Sequence, residues 1–160
     1  MWWLAGFVAV VAAMGAYVTW IASRVERLHA RAADAAAALD GKLSIRAKAA
    51  LVLAEAHGDR LGRHREAVRA AAYAALEAVS EEREAAENDL TRILRGLPLP
   101  AEDPAMAEVR RANRRLSIAK QVHTDVVRDA VAARFHRAAR VLRLARKLPR
   151  PQYFNIDDPR

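Results

Sequence analysis

The first 23 residues, MWWLAGFVAVVAAMGAYVTWIAS, contain no Asp, Glu, Lys or Arg. As a helix, the stretch from Trp2 to Ala22 rises ~31 Å, about the thickness of the hydrocarbon layer of a bilayer. Trp2 and Trp3 mark one end and Tyr17 and Trp20 the other, as amphipathic rings do at the two membrane interfaces. A cleaved signal peptide needs a positive leading region and a shorter apolar stretch, and no base precedes this one. The segment therefore reads as an uncleaved transmembrane anchor. Arg24, Arg27 and Arg31 follow it within three turns. By the positive-inside rule they leave the amino terminus outside and the rest of the chain, 24–160, in the cytoplasm of a single-pass protein of the cell membrane. Trp2, Trp3, Tyr17, Trp20, Arg24 and Arg27 are its expected interface residues. Small residues at Ala9 and Ala13, and at Ala12 and Ala16, have the spacing at which two spans pack closely, but an Ala-rich segment produces such spacings by chance.

Beyond the span the chain is built for helices. Six Gly and six Pro in 160 residues leave little turn chemistry for a sandwich or barrel, and hydrophobic residues at 53% suffice for a core. Leu28, Ala32, Ala35, Leu39, Leu43, Ala47, Ala50 and Ala54 step by three or four and predict a first helix over 24–56, with Gly41 as a weak point where a kink fits. Residues 57–64 hold two Gly and predict a loop. A second helix over 65–96 follows the stripe Ala72, Leu76, Val79, Ala86, Leu90, Ile93 and Leu97. It is interrupted by Arg83 and flanked by Glu81, Glu82, Glu84, Glu87 and Asp89, which read as a solvated face. Gly96, Pro98 and Pro100 stop it.

Asp103 followed by Pro104 has the form of an N-cap with Pro at the first helical position. The third helix, 104–147, carries Val109, Ala112, Leu116, Ala119, His123, Val127, Val131, Phe135, Ala138, Leu142 and Ala145 on one stripe. Its run of four-residue steps through 119–135 predicts a stutter and little supercoiling in a coiled-coil-like pairing. Residues 149–160 read as an irregular Pro and aromatic tail whose Tyr153, Phe154 and Ile156 either dock back on the bundle or form a short linear motif for a partner; docking is favoured, because exposed aromatics are otherwise a liability. The expected fold is all-α: a transmembrane helix (1–23) continuing into an antiparallel bundle of three long helices (24–148), up, down and up.

The order of these elements resembles the LemA family. The resemblance is carried by Glu87-Asn-Asp-Leu-Thr-Arg-Ile-Leu94 on the middle helix, by Arg115-Leu-Ser-Ile-Ala-Lys-Gln-Val-His-Thr-Asp-Val-Val127 on the last, and by Pro151-Gln-Tyr-Phe154 in the tail. It covers essentially the whole chain and is nearest to divergent LemA-like membrane proteins of actinobacteria. The chain departs from the family at His123-Thr124 and at Ala130-Val131, where Tyr-Asn pairs are usual, and at Leu51-Val52-Leu53-Ala54, where a Pro-Asn-Leu-Val run is usual. The resemblance implies a bacterial, membrane-anchored helical protein without an assigned catalytic residue.

Signals of chemistry are sparse. Glu26-x-x-His29 has the spacing of carboxylate-bridged di-iron bundles, but such a site needs two of these motifs and two further Glu. Phosphate-binding Gly-rich loops, nucleophile elbows and zinc-protease motifs do not occur, and no cofactor is expected. A membrane enzyme is the weakest reading, and a metal in the purified protein would favour it. His123 interrupts an apolar stripe; it reads either as a proton-sensitive switch between helices or as an interior His bonded to a neighbouring helix.

The net charge of +8 divides into +2 for 24–60, −3 for 61–103 and +9 for 104–160. Arg134, Arg137, Arg140, Arg143 and Arg146, continued by Lys147 and Arg150, face no acid between Asp129 and Asp157. Steps of three turn by about −60° each, so the five Arg encircle the helix end over ~240°. Such a collar complements the helix dipole and also suits a polyanion: anionic lipid, RNA or an acidic protein. In the up-down-up arrangement it lies far from the bilayer, beyond the ~8 Å Debye length. Sequence-specific reading of nucleic acid is disfavoured, because no recognised docking motif is present. The expected partners are the lipid bilayer, other proteins and a second copy of the chain; the expected role is a non-catalytic interaction or scaffold protein.

Overall fold

The computed structural model describes residues 2–79, 81–100, 103–135 and 153–154; the side chains of Glu81, Arg134 and Phe135 lie outside that description. Among the described residues there are five helices and no strand: α1 (Trp2–Ala56), α2 (Gly58–Leu61), α3 (Arg63–Glu77), α4 (Glu81–Arg95) and α5 (Pro104–Phe135). The all-α expectation holds, and the apolar opening segment runs without interruption into the first helix. The chain forms two compact units, one of residues 1–34 with 125–152 and one of 35–124 with 153–160.

In the second unit the expected stripe of α1 is the observed core face. Leu39, Leu43, Ala47, Ala50 and Ala54 are buried, joined by Leu53. The expected loop 57–64 contains the single turn α2, and α3 begins at Arg63. The expected helix 65–96 is not one helix but two. Ala78 leaves the helical region with φ −62° and ψ 138°, and α4 starts at Glu81. Glu81, Glu82 and Glu84 fall in its first turn, where negative charge complements the helix dipole. α3 and α4 pack against one another, with Val68, Ala72 and Ala75 meeting Leu90, Leu94 and Leu97 in the core shared with α1 and Val109.

This additional reversal sets the direction of α5 in this unit. Ala47 to Ala54 of α1 share a cluster with Val109 of α5, whereas Leu39 and Leu43 share one with Leu116, so the two helices run antiparallel. Phe154 of the tail packs on that second cluster, as expected of a docked tail, while Tyr153 stays exposed. Ile156 lies outside the described residues. α4 ends at Arg95 with tightened bonds from the Gly96 amide to the Ile93 carbonyl (3.1 Å) and from the Leu97 amide to Leu94 (3.5 Å). The expected N-cap is present: Asp103 Oδ1 accepts from the amides of Ala105 (2.9 Å) and Met106 (3.1 Å).

In the first unit, Ala32 of α1 clusters with Val127 and Ala130 of α5, with Leu28 and Val131 packed beside them. Residues 2–20 of α1 stand apart from any core.

Two glycines test the backbone. Gly41 lies inside α1 with nothing within 4 Å of where a Cβ would be. Gly62, between α2 and α3, has φ 48° and ψ −120°, a conformation that L side chains rarely adopt. Gly41→Ala is expected to stabilise the fold by about 0.5–1 kcal/mol and Gly62→Ala to destabilise it by about 1–3 kcal/mol. Thermal melts of the two variants check the opposite signs.

Candidate functional site

Residues 2–20 form a helix long and apolar enough to cross a membrane. Its most apolar 18-residue window has a mean hydropathy of 2.0 and is only 6% buried by the rest of the protein. A core helix of a soluble bundle is mostly covered; this one is bare. Trp2 and Trp3 are each 91% exposed, and Leu4, Phe7, Val8, Val10, Val11 and Met14 are exposed after them. Its threonine and the serine just after it bond inward to the helix. Thr19 Oγ1 donates to the carbonyls of Gly15 (3.1 Å) and Ala16 (2.9 Å), and Ser23 Oγ to that of Thr19 (2.9 Å), so neither of these two hydroxyls depends on water for a partner.

At the carboxyl end of this segment the rings of Tyr17 and Trp20 stack with centroids 6.3 Å apart. The Arg24 guanidinium lies over Trp20, 5.7 Å from the ring centroid. These expected interface residues are thus brought together, while Arg27 is exposed one turn further on. A groove of about 460 Å³ opens here. On α1 its wall is Tyr17, Trp20, Ile21, Arg24, Val25 and Leu28, which step by three and four along one face. On α5 its wall is Asp129, Ala132 and Ala133.

The last described turns of α5 therefore lie beside residues 17–28 of α1. Arg134 directly follows a residue that lines a groove with Trp20 and Arg24. The cause is the reversal between α3 and α4, which brings α5 back along α1. Arg134 is helical; Arg137, Arg140, Arg143, Arg146, Lys147 and Arg150 lie outside the described residues.

The second unit contains a buried charge layer. Arg46 is 1% exposed and Glu87 0%. Arg46 Nη1 donates to Glu87 Oε2 at 3.0 Å and Nη2 to Thr91 Oγ1 at 2.6 Å, while Thr91 Oγ1 donates to the Glu87 carbonyl at 2.8 Å. Nearby, Arg83 Nη2 lies 2.9 Å from Asp40 Oδ1. Arg46 Nε and Glu87 Oε1 have no hydrogen-bond partner among the described residues. The expected solvated face of α4 is corrected at Glu87, which faces α1. Leu39, Leu43, Arg46, Ala50 and Leu53 step by four and three, as do Arg83, Glu87, Leu90, Leu94 and Leu97, so each charge occupies a core slot of a heptad. Burial pushes the Glu87 carboxyl up to about 7 against the pull of Arg46, and burial likewise lowers Arg46. Closed to solvent, the layer joins α1 to α4 and offers no atom to a substrate.

Two further groups were read in part or missed. His57 Nε2 lies 2.8 Å from Asp103 Oδ2, tying the end of α1 to the start of α5. The Met106 amide, against the cost of burial and with help from His57 and the Ala105 amide, holds the Asp103 carboxyl below the usual carboxylate range. His123 is buried as expected, but its Nδ1 has no hydrogen-bond partner among the described residues, and burial lowers its pKa.

Glu87 and His123 give stability opposite dependences on pH. A carboxyl with a raised pKa contributes stability below its ordinary range that is lost as pH rises through about 7. A His with a lowered pKa contributes stability above its ordinary range that is lost as pH falls. Between pH 5 and 8, melting of Glu87→Gln is therefore expected to rise with pH and that of His123→Gln to fall. The same slope in both variants would show that neither group titrates in the folded protein.

As for Glu26-x-x-His29, His29 Nδ1 donates to the Val25 carbonyl of its own helix at 2.9 Å and Glu26 is exposed. Among the described residues, no three His, Asp or Glu are placed to hold a metal ion. No family model, curated protein or solved structure matches the chain.

Proposed function

We propose that this chain is a LemA-like, single-pass membrane protein whose helical bundle serves as a non-catalytic interaction or scaffold component on the cytoplasmic side. The observation that carries the reading is the bare apolar helix that continues, without a break, into a packed bundle. Arg24, Arg27 and Arg31 immediately after it favour a cytoplasmic bundle and an external amino terminus. The chain has no Cys, so a single Glu66→Cys on the exposed surface of α3 reports sidedness cleanly. A membrane-impermeant maleimide is expected to label it only after the membrane is opened; labelling in intact cells reverses the orientation. Crosslinking and pull-down from native membranes would identify the partner proteins or a second copy.

A second reading, a polyanion binder working through the basic end of the last helix, gains support from where α5 returns. Ala133, which lines the groove with Trp20 and Arg24, directly precedes the first Arg of the run in sequence, and this favours the anionic lipid of the protein's own membrane ahead of RNA or an acidic protein. On this reading, changing Arg137, Arg140, Arg143 and Arg146 to Gln lowers the anionic lipid retained by the purified protein, and raising salt does the same to the parent. Retention indifferent to both removes it.

A further inference from the structure

The interfacial groove holds a cation and an anion that do not neutralise each other. Arg24 on the α1 wall has the Trp20 ring as its partner, and among the described residues neither Arg24 nor Asp129 on the α5 wall makes an ion pair. Between them lie Ile21 and Val25, which are buried, and Leu28. From Trp2 to Trp20 a helix rises ~27 Å, so this opening sits where the hydrocarbon gives way to lipid headgroups. A volume of about 460 Å³ falls in the range of pockets that take small ligands.

We propose that the groove seats the headgroup of a phosphoethanolamine lipid. The Arg24 fork pairs with the phosphate, Asp129 accepts hydrogen bonds from the primary ammonium, and the apolar floor takes the glycerol end of the acyl chains. The two charges select the headgroup. A phosphocholine lipid offers a cation without an N–H donor, and a phosphoglycerol lipid offers Asp129 no cation at all. The site rests on the membrane reading of residues 2–20 and is separate from the basic run that follows Phe135.

The test uses the full chain with Trp2→Phe and Trp3→Phe, which leaves Trp20 as the one indole. Reconstituted vesicles contain brominated lipid with a phosphoethanolamine, phosphocholine or phosphoglycerol headgroup in turn, and flotation verifies insertion in each. Trp20 quenching is expected to favour phosphoethanolamine over both others by about two- to fivefold, the range an exposed ion pair supplies. Asp129→Asn brings phosphoethanolamine down to the level of phosphocholine, and Arg24→Gln lowers both. Equal quenching by the three lipids in a protein that floats overturns the site alone. So does a preference for phosphoglycerol, which marks general attraction to negative charge, and so does a headgroup preference that Asp129→Asn leaves intact. A protein that does not float overturns the anchor and the site together.

Discussion

Arg46→Ala or Glu87→Ala, made singly, is expected to destabilise the bundle by about 3–5 kcal/mol, because each leaves an uncompensated charge in a layer closed to water. In a unit of this size that loss lowers Tm by more than about 10 °C. Removing both charges has a different outcome. Arg46→Met with Glu87→Leu fills the same space without a desolvated ion, and such replacements run from neutral to stabilising by about 1–4 kcal/mol. Thr91 tolerates the exchange, since its hydroxyl keeps the Glu87 carbonyl as acceptor. A double-mutant cycle read by thermal and denaturant unfolding separates these outcomes. Single truncations that melt like the parent would mean that water reaches the pair and that α1 and α4 are not in register there.

The second large effect is on residence in the membrane. Val10→Arg combined with Met14→Arg puts two charges on one face near the middle of the bare helix. Each is penalised by about 2.5–3.5 kcal/mol on insertion scales, so the pair opposes insertion by about 5–7 kcal/mol. The double variant is expected to leave the carbonate-resistant membrane fraction. Ile45→Arg with Val52→Arg is the matched control, because these residues are also apolar, exposed and on α1, yet belong to the second unit. The control should stay in the membrane. A Val10, Met14 variant that still resists extraction and floats with lipid would sink the anchor.

Periodicity made much of this architecture legible. Ala32, Leu39, Leu43, Ala47, Ala50 and Ala54 were readable as a core face because one helix keeps one phase, and Asp103-Pro104 was readable because a cap is local chemistry. The break at Ala78 was hidden. Leu76, Val79, Arg83 and Ala86 continue three- and four-residue steps straight across it, although Val79 turns out 70% exposed. Glu87 was hidden differently: it sits in a run of acids, and its partner Arg46 is 41 residues away. Only reading both as heptad core slots would have paired them. Missing one reversal also hid the return of α5 along α1, since the direction of a helix in a bundle depends on whether the number of turns before it is odd or even.

The same arithmetic of order applies to assembly. Phe154 follows Leu39, Leu43 and Leu116 in the chain and packs on the cluster they form. During synthesis those three leucines exist before the ring that covers them. The nascent chain must therefore carry an open leucine seam until the tail has been made.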